Sequence, residues 1–342
     1  MVSDQDGELD ELSLLIQGFQ IARLIKAAAD LGLADKIEPA ASVAVTDLAA
    51  SLEVEPARLL RLLRALAAFG IFVADNPSRI AHSKKSLLLR ADHKKSLHYM
   101  ARFWAMPSNW SIWGALDRGL QSGPTASEVV LGASRMEYFN AHPDEAAIFN
   151  SAMAHRPEDS HTDVAELYDF SNASLIVDVG GGNGALLRSI LTRYGGPKGV
   201  TFDRGEVVRA AGEAASLDEF GDRHRFQGGN FLEHVPAGGD VYILSDVLSN
   251  FPNRSCVKIL QISHAAMKKP GRILLVERLL DPDPAKGNPS HFLIDIHFML
   301  NYPEARLRTP LEYGQLLSAA GFGPMRVIPT TSSVAIIESV AE

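Results

Sequence analysis

The sequence predicts an α/β protein with a mainly helical N-terminal part and a parallel sheet in its C-terminal part. Helical periodicity dominates the first hundred residues, whereas short β-branched runs alternate with helical patterns from about residue 170. The chain ends in two apolar runs around Pro329 that indicate an antiparallel hairpin. A chain of 342 residues can bury more than one core. We therefore expect an N-terminal domain over 1–100, a helical connector over 101–168 and a sheet domain over 169–342.

The N-terminal part has the pattern of a winged helix. A strongly apolar helix begins near residue 14, a short helix with Thr46 as its N-cap follows, and a third helix follows Pro56. Two short β-type runs, 69–73 and 79–81, then predict a hairpin. Such modules can bind DNA, but the first helix is too apolar for the surface of a monomer. We expect this domain to form a homodimer.

Composition excludes several classes of partner. The chain carries 41 acidic and 33 basic residues, for a net charge of −8, which argues against nucleic acid as the main partner. The single cysteine, Cys256, rules out an internal disulfide and a cysteine-based zinc cluster. The spacing of Glu277, His291 and His297 matches no helix-based ligand pair, so we predict no metal. No apolar run approaches the length of a membrane span and the acidic start is not a signal peptide, so we predict a cytoplasmic protein with no membrane partner.

A glycine-rich loop, Asp178-Val179-Gly180-Gly181-Gly182-Asn183-Gly184, lies between a β-branched run and a helical pattern. Glycines here allow positive φ and let a nucleoside approach the backbone. Gly180, Gly182 and Ala185 also fit the dinucleotide fingerprint, with an acid about twenty residues further on at Asp203. A carboxylate at Asp178 would repel a pyrophosphate and attract a cation. The loop therefore favours S-adenosylmethionine (SAM), a sulfonium with an adenosine, over a dinucleotide.

Polar and aromatic residues at the ends of later strands agree with this cofactor. Parallel strands present their ligand-binding groups at their carboxyl ends. Asp203 would accept the ribose hydroxyls, Asn230 would bind the edge of the adenine and Phe231 would lie on its face, while Ser245 would lie beside the methionine part. A parallel sheet that ends in a reversed strand is also typical of SAM methyltransferases. We therefore expect a Rossmann-like domain with SAM as its cofactor.

The connector contains all three tryptophans and many other aromatic and methionine residues. Core packing could account for any one of them, but such a concentration predicts the wall of a pocket for a flat, apolar small molecule. The candidate substrate-binding residues are Phe103, Trp104, Met153, His155 and Met299.

Several motifs together resemble the caffeic-acid and hydroxyindole type of SAM-dependent O-methyltransferase, a plant family that is also common in bacterial natural-product pathways. They are Ile176 to Gly184, Gly228-Gly229-Asn230-Phe231, Leu275-Val276-Glu277, Arg308-Thr309 and Ala320-Gly321-Phe322. The resemblance covers nearly the whole chain, and it implies a seven-stranded sheet, a winged-helix dimerisation domain and SAM contacts from Gly180, Gly182, Asp203, Asn230 and Phe231. The family usually has Asp where Asn230 stands.

The resemblance breaks at the catalytic position. Ser249 stands where the family has the histidine that takes the proton of the substrate hydroxyl, and serine has no useful basicity at neutral pH. Of the two acidic residues that support this base, one matches Glu277 and the other falls on Leu307. Anthracycline-tailoring relatives resemble this chain in having Asn at the position of Asn250 and no preceding His.

Three reactions remain open. The first is O-methylation of an acidic hydroxyl on an aromatic or polyketide-like compound, driven by alignment. The second is methylation of carbon or nitrogen, with His291 near the position of a histidine in a bacteriochlorophyll C-methyltransferase that this chain resembles. The third is hydroxylation, cyclisation or pericyclic chemistry in which SAM donates no methyl. We favour O-methylation, with Ser249, Asn250, Glu277 and His291 as the candidate catalytic residues; a DNA-binding regulator that senses SAM is the least favoured alternative.

Overall fold

The computed structural model describes residues 4–121, 123–155, 160–214 and 220–342. The chain forms two compact units. The first comprises Met1–Arg118 and Ala126–Pro157, and the second comprises Gly119–Thr125 and Glu158–Glu342. Most of the predicted connector, 101–168, lies in the first unit. The division into three parts stays a prediction.

Helices and a small sheet precede residue 155. The strands are β1 (Ser42–Ala44), β2 (Phe72–Asn76) and β3 (Arg79–His82), and they form an antiparallel sheet in the order β1-β3-β2. The helices are α1 (Asp4–Ile16), α2 (Gly18–Asp30), α3 (Val45–Ser51), α4 (Pro56–Ala68), α5 (Lys84–Leu87), α6 (His98–Trp104), α7 (Pro107–Trp113), α8 (Leu116–Gly119), α9 (Ala126–Leu131), α10 (Arg135–Ala141) and α11 (Pro143–Ala154). The order α3, α4 and the β2–β3 hairpin agrees with the predicted winged helix.

The start of α3 differs from the prediction. Thr46 is not the N-cap, because β1 continues to Ala44 and the helix begins at Val45. The amide of Val45 bonds to the Ser78 carbonyl at 2.9 Å, and Ala44 occupies the cap position without a side-chain hydrogen bond. At α4, by contrast, the Glu55 carboxylate accepts from the amides of Ala57 and Arg58. Strand pairing thus decides where α3 begins.

The predicted apolar first helix is two helices. They meet at Gln17 with a bend of 53° between Gly7–Ile16 and Gly18–Asp30. No single helix among the described residues has the length and apolar character to cross a membrane, although this bent pair meets both criteria when taken together. Large apolar side chains are exposed along the pair, namely Leu9, Leu12, Leu14, Leu15, Ile16 and Phe19. A surface of this kind is typical of a protein interface.

The second unit is built on a seven-stranded sheet. Its strands are β4 (Leu175–Val179), β5 (Lys198–Asp203), β6 (His224–Gly228), β7 (Val241–Ser245), β8 (Gly271–Glu277), β9 (Arg326–Pro329) and β10 (Ala335–Ala341). Its helices are α12 (Ser160–Leu167), α13 (Ala185–Arg193), α14 (Gly205–Ala214), α15 (Asn253–Ala266), α16 (Pro289–Asn301) and α17 (Pro310–Ala319), with 3₁₀ turns at Gly221–Arg223 and Leu248–Asn250. The strand order is β6-β5-β4-β7-β8-β10-β9; the first five strands are parallel, and β10 pairs antiparallel with both β8 and β9. The predicted fold class, including the terminal hairpin, is confirmed.

Both faces of this sheet are covered by helices. Side chains of successive strand residues point to opposite faces, so Ile176 packs in a cluster with α12 and α13, whereas Val177 packs in a cluster with α15 and α17. Strands buried on both faces are expected to be apolar throughout. Buried acids inside this apolar sheet, namely Asp178, Glu277 and Glu338, are therefore exceptions, and the first two lie on parallel strands near their carboxyl ends.

Candidate active site

The carboxyl ends of five parallel strands, β6, β5, β4, β7 and β8, meet at one edge of the sheet. The predicted cofactor-binding and catalytic residues of the second unit lie at or just beyond these ends. Between β4 and β7 the strand order reverses, and ligands of open α/β sheets bind at such a switch point. This edge is the candidate active site.

The glycine loop (Gly180–Gly184) joins β4 to α13. Gly180, Gly182 and Gly184 have φ of 74°, 57° and 74°, which glycine adopts without strain. A Cβ at Gly180 would come within 2.7 Å of Val247 Cγ2, whereas nothing lies within 4 Å of a Cβ at Gly182. The loop thus packs against the segment after β7 and keeps open space at Gly182, where a ligand can approach the backbone.

Asp178 lies beneath this loop. Its side chain is fully buried, and neither carboxylate oxygen has a hydrogen-bond partner among the described residues. A Cβ on Gly181 would be 2.5 Å from Asp178 Oδ2, so only glycine fits above the carboxyl. Burial, with the charge of Asp203 adding to it, raises the pKa of Asp178 to about 7. Because the Asp178 carboxyl lies under the loop, its negative charge would act on a bound ligand across the loop.

Asp203 ends β5 and binds the glycine loop. Its Oδ2 accepts from the amide of Gly182 at 2.9 Å, and its Oδ1 accepts from the amide of Arg204 at 2.7 Å. The sequence predicts that this carboxylate accepts ribose hydroxyls. In the structure it also fixes the open part of the loop.

Asn230 and Phe231 follow β6, where the sequence predicts an adenine site. Asn230 is exposed; its Nδ2 donates to Glu233 Oε1 at 2.8 Å and its Oδ1 accepts from the Leu232 amide at 3.0 Å. The ring of Phe231 packs edge-on against Phe251 with centroids 5.7 Å apart. The Phe231 ring also lies 3.8 Å from a Cβ built at Gly180, so the adenine candidates adjoin the glycine loop.

The Ser249 turn (Leu248–Asn250) follows β7. The strand ends at Ser245, because Asp246 adopts a φ of 53° and leaves the extended conformation. The side-chain nitrogen Nδ2 of Asn250 donates to the Asp246 carbonyl at 2.8 Å and so links the two ends of this segment. Ser249 is buried at 2% exposure, and Asn250 is exposed.

Backbone groups of the Ser249 turn are held from two sides. The Leu248 amide donates to Glu277 Oε1 at 2.9 Å, and the Ser249 carbonyl accepts from the Arg306 amide at 2.9 Å. Nη1 of Arg308 donates to the Leu248 carbonyl at 2.9 Å, and its Nη2 donates to the Phe251 carbonyl at 2.7 Å. These four hydrogen bonds restrict the movement of the turn.

Arg308 is the residue of this site to which sequence reasoning gave no role. It is completely buried, and it also donates to Asn253 Oδ1 at 3.0 and 3.1 Å. The Arg308-Thr309 pair was visible only as part of a family resemblance. Its function depends on contacts with residues about 60 positions earlier in the chain, which no local pattern reveals.

Glu277 is the most strongly perturbed acid of the site. Its side chain is completely buried, and burial together with the charge of Asp246 raises its pKa to about 8. Hydrogen bonds from Leu248 and Ser249 oppose this rise. Asp246 is paired with Arg278, whose Nη1 lies 2.7 Å from Asp246 Oδ1. The Glu277 carboxyl therefore keeps its proton to a higher pH than an exposed glutamate does.

The structure places His291 on the first turn of α16, against the extension of β8. Its Nδ1 lies 2.8 Å from the Leu279 carbonyl, which can only accept, so Nδ1 carries the proton. Nε2 is then an acceptor; it is buried and has no partner among the described residues. Met299 is half-buried on the same helix. Within the described part of the chain, no group of three or more His, Cys, Asp or Glu side chains is arranged to hold a metal ion.

The other predicted substrate-binding residues lie in the first unit. Phe103 is buried in a small cluster with Met106, Phe139 and Ala152, whereas Trp104 is partly exposed beside it. Met153 packs against this cluster, and the exposed His155 stacks on Tyr99 with centroids 4.1 Å apart. Phe103 contributes to packing within its own unit; the contacts of these side chains with a substrate stay a prediction.

The second unit defines a class of enzyme. A seven-stranded sheet with a reversed strand, a glycine loop at the switch point and an acid at the end of β5 are the features of a SAM-dependent methyltransferase. The unpartnered Asp178 carboxyl and the open space at Gly182 fit a cationic, nucleoside-bearing cofactor.

Comparison with known proteins identifies the family. Residues 113–323 match the O-methyltransferase domain and residues 13–86 match the O-methyltransferase dimerisation domain, so the chain belongs to this O-methyltransferase family. A phenazine O-methyltransferase of Lysobacter antibioticus is 33% identical over 95% of this chain and 94% of its own length. A 3-amino-4-hydroxybenzoate 4-O-methyltransferase of Streptomyces cremeus is 35% identical over 90% of this chain and 83% of its own length.

The comparison with solved structures supports the same family. Human N-acetylserotonin methyltransferase in complex with SAM matches with a TM-score of 0.86 and 25% identity over 99% of each chain. The protein is a SAM-dependent methyltransferase. The predictions of enzyme class and cofactor are confirmed.

Proposed function

We propose that this protein methylates an acidic hydroxyl of a small aromatic natural product. The observation that carries the proposal is the position of the Ser249 turn, whose neighbour Val247 is in contact range of the glycine loop that would hold SAM. Relatives named for a phenazine and for an aminohydroxybenzoate support a flat aromatic acceptor.

In this proposal SAM supplies a methyl group on a sulfonium, which an aligned phenolate attacks in line. The chain contributes position: Asp203 and the glycine loop hold the cofactor, and the Ser249 turn forms the acceptor side. Ser249 and Asn250 line the reacting centre, with Glu277 as a buried polar partner. Alignment of this kind can supply a large part of the rate enhancement.

The test is incubation of the purified protein with SAM and a panel of hydroxylated phenazines and aminohydroxybenzoates. We expect a methyl ether and S-adenosylhomocysteine in equal amounts by mass spectrometry. Conversion of an acceptor without any loss of methyl from SAM would contradict the proposal and favour non-methylating chemistry.

Methylation of carbon or nitrogen is the second candidate, and His291 favours it. A buried imidazole nitrogen with a free lone pair can accept the proton of a carbon or nitrogen acceptor. A His291→Gln variant that loses C- or N-methylation while it keeps SAM affinity would support this candidate. Unchanged turnover in that variant would exclude it.

We also propose that the protein is a homodimer that acts in the cytoplasm. Support comes from the match to a dimerisation domain over residues 13–86 and from the exposed apolar side chains of α1 and α2. Sedimentation of the wild type against a Leu12→Glu, Leu15→Glu variant tests the dimer, which the charges should dissociate.

A further inference from the structure

The carboxyl of Glu277 has one engaged oxygen and one available oxygen. Oε1 accepts from the Leu248 amide at 2.9 Å, whereas Oε2 is buried and by strict geometry has no hydrogen-bond partner among the described residues. The hydroxyl and the amide of Ser249 are nevertheless close enough to lower the pKa of Glu277 by hydrogen bonding. A buried acid therefore adjoins the hydroxyl that lies at the expected position of the base.

We propose that Glu277 takes up the proton of the acceptor through the hydroxyl of Ser249, so that this pair replaces the missing histidine base. The inference rests on the proposed O-methylation. Transfer forms a C–O bond, breaks the C–S bond with its electron pair left on sulfur, and releases the proton of the acceptor hydroxyl. Ser249 Oγ accepts this proton and passes its own to Glu277, whose carboxylate becomes a neutral carboxyl.

The surroundings of Glu277 set its charge. Asp246 at the end of β7 opposes ionisation and is itself paired with Arg278. Cys256 of α15, Tyr313 of α17 and Arg308 also face this region, and the pKa values of Cys256 and Tyr313 are raised. The hydrogen bonds from Leu248 and Ser249 favour the carboxylate. A base whose pKa lies near the working pH combines availability with driving force.

The backbone contacts of the Ser249 turn make this relay possible. Arg308 holds the Leu248 carbonyl and the Arg306 amide holds the Ser249 carbonyl, so the peptide groups on both sides of Ser249 are fixed and its Cα keeps a constant position relative to Glu277. A hydroxyl is both donor and acceptor, which lets it pass a proton without holding a charge. A basic side chain at 249 is then not required.

The first test compares Glu277→Gln and Ser249→Ala with the wild type, using whichever phenol of the panel is methylated. Glutamine keeps an acceptor for the Leu248 amide but cannot take a proton. We expect wild-type kcat/KM to rise with pH through about 8, and each variant to lose this rise and about 100-fold in rate. Because the two residues act in one relay, the double variant should lose no more than either alone.

Two results would overturn the proposal. Wild-type rates and an unchanged pH profile in Glu277→Gln would show that no proton passes to this residue. A Glu277→Gln variant with reduced activity, together with a fully active Ser249→Ala variant, would show that Ser249 does not pass the proton. Glu304→Gln, on the surface in a pair with Arg254, is the matched control for loss of a carboxylate.

The second test needs no acceptor. In infrared difference spectra, the C=O band of the protonated Glu277 carboxyl should disappear as the pH rises through about 8. The band that is lost in this pH range should be missing in Glu277→Gln and retained in Asp178→Asn. Failure of the wild type to methylate any phenol would refute the proposed function, whereas absence of this band would refute the ionisable Glu277. Circular dichroism spectra of the variants that match the wild type exclude misfolding as the cause.

Discussion

The cofactor side and the reacting side of the active site are built differently. The cofactor side consists of backbone: a loop with three positive-φ glycines, held by Asp203 through the Gly182 amide. The reacting side consists of buried charged groups, with Glu277 and Arg308 completely enclosed around the Ser249 turn. One side gains function from the absence of side chains, and the other from side chains that are costly to bury.

This difference determines what can vary. A nucleoside cofactor that is common to a family needs the same close backbone approach each time, so the loop keeps a recognisable local pattern. The reacting side needs only a turn of fixed position, and the residue at its centre can change when neighbours handle the proton. Arg308 and Glu277 bind backbone groups of the turn, and neither contact involves the side chain at position 249.

The largest effect is expected at Arg308. Arg308→Met removes the donors to the Leu248 and Phe251 carbonyls and to Asn253, and leaves these buried acceptors unpaired. We expect the free energy of unfolding to fall by about 3 kcal/mol or more. Urea denaturation followed by circular dichroism measures the change.

Arg308→Lys separates charge from geometry. Lysine keeps the charge but cannot reach all three acceptors with one ammonium, so its loss should be smaller than that of methionine. All three tryptophans lie in the first unit, so their fluorescence provides an internal control for its unfolding. A loss below 1 kcal/mol in Arg308→Met would show that the turn does not depend on this residue.

The next effect tests the cofactor side. In Gly180→Ala the new Cβ would lie 2.7 Å from Val247 at a φ of 74°, so the loop has to move. We expect SAM affinity to fall by about 100-fold or more, equivalent to about 2.8 kcal/mol, in calorimetric titration. Gly182→Ala meets no protein atom, so it should destabilise the free protein only by the strain of positive φ, whereas its methyl group enters the space where the cofactor is expected to approach and should also weaken SAM binding. Equal losses of thermal stability in the two cofactor-free variants would contradict the packing argument.

The same contrast explains what the sequence could predict. The strands of the seven-stranded sheet, the reversed hairpin and the glycine loop follow from local periodicity and turn residues, and the structure contains all of them. In the N-terminal part the predicted run 69–73 begins three residues before β2, and β1 was not predicted. Thr46 failed as a cap because pairing of β1 with β3 moved the helix start, which a local pattern cannot show. The first helix was predicted without its break at Gln17. The perturbation of Asp178 and Glu277 depends on burial by distant segments, so only the structure reveals it.

Asp178 allows the cofactor side to be tested by pH. Its pKa is about 7 in the folded protein and 3.8 as the ordinary value, so the folded state holds the proton longer and stability falls as the pH rises from about 4 to 7. Without cofactor, Asp178→Asn should be more stable than the wild type at pH 8, by about 3 kcal/mol more than at pH 5. Thermal melts at the two pH values measure this. A difference that does not change with pH would show that Asp178 is not the ionising group.

The smallest effect concerns Asn230, where the resemblance leads us to expect Asp in the family. The Asn230 amide donates to Glu233 Oε1 at 2.8 Å, so Asn230→Asp removes a hydrogen bond and places two carboxylates together. Both side chains are exposed, which limits the cost to about 0.2–1 kcal/mol, or roughly a two- to fivefold loss of SAM affinity. The added Glu233→Gln substitution should restore binding. If Asn230→Asp alone binds SAM more tightly than the wild type, the adenine site is independent of Glu233, and the departure from the family at this position is a loss rather than a matched exchange.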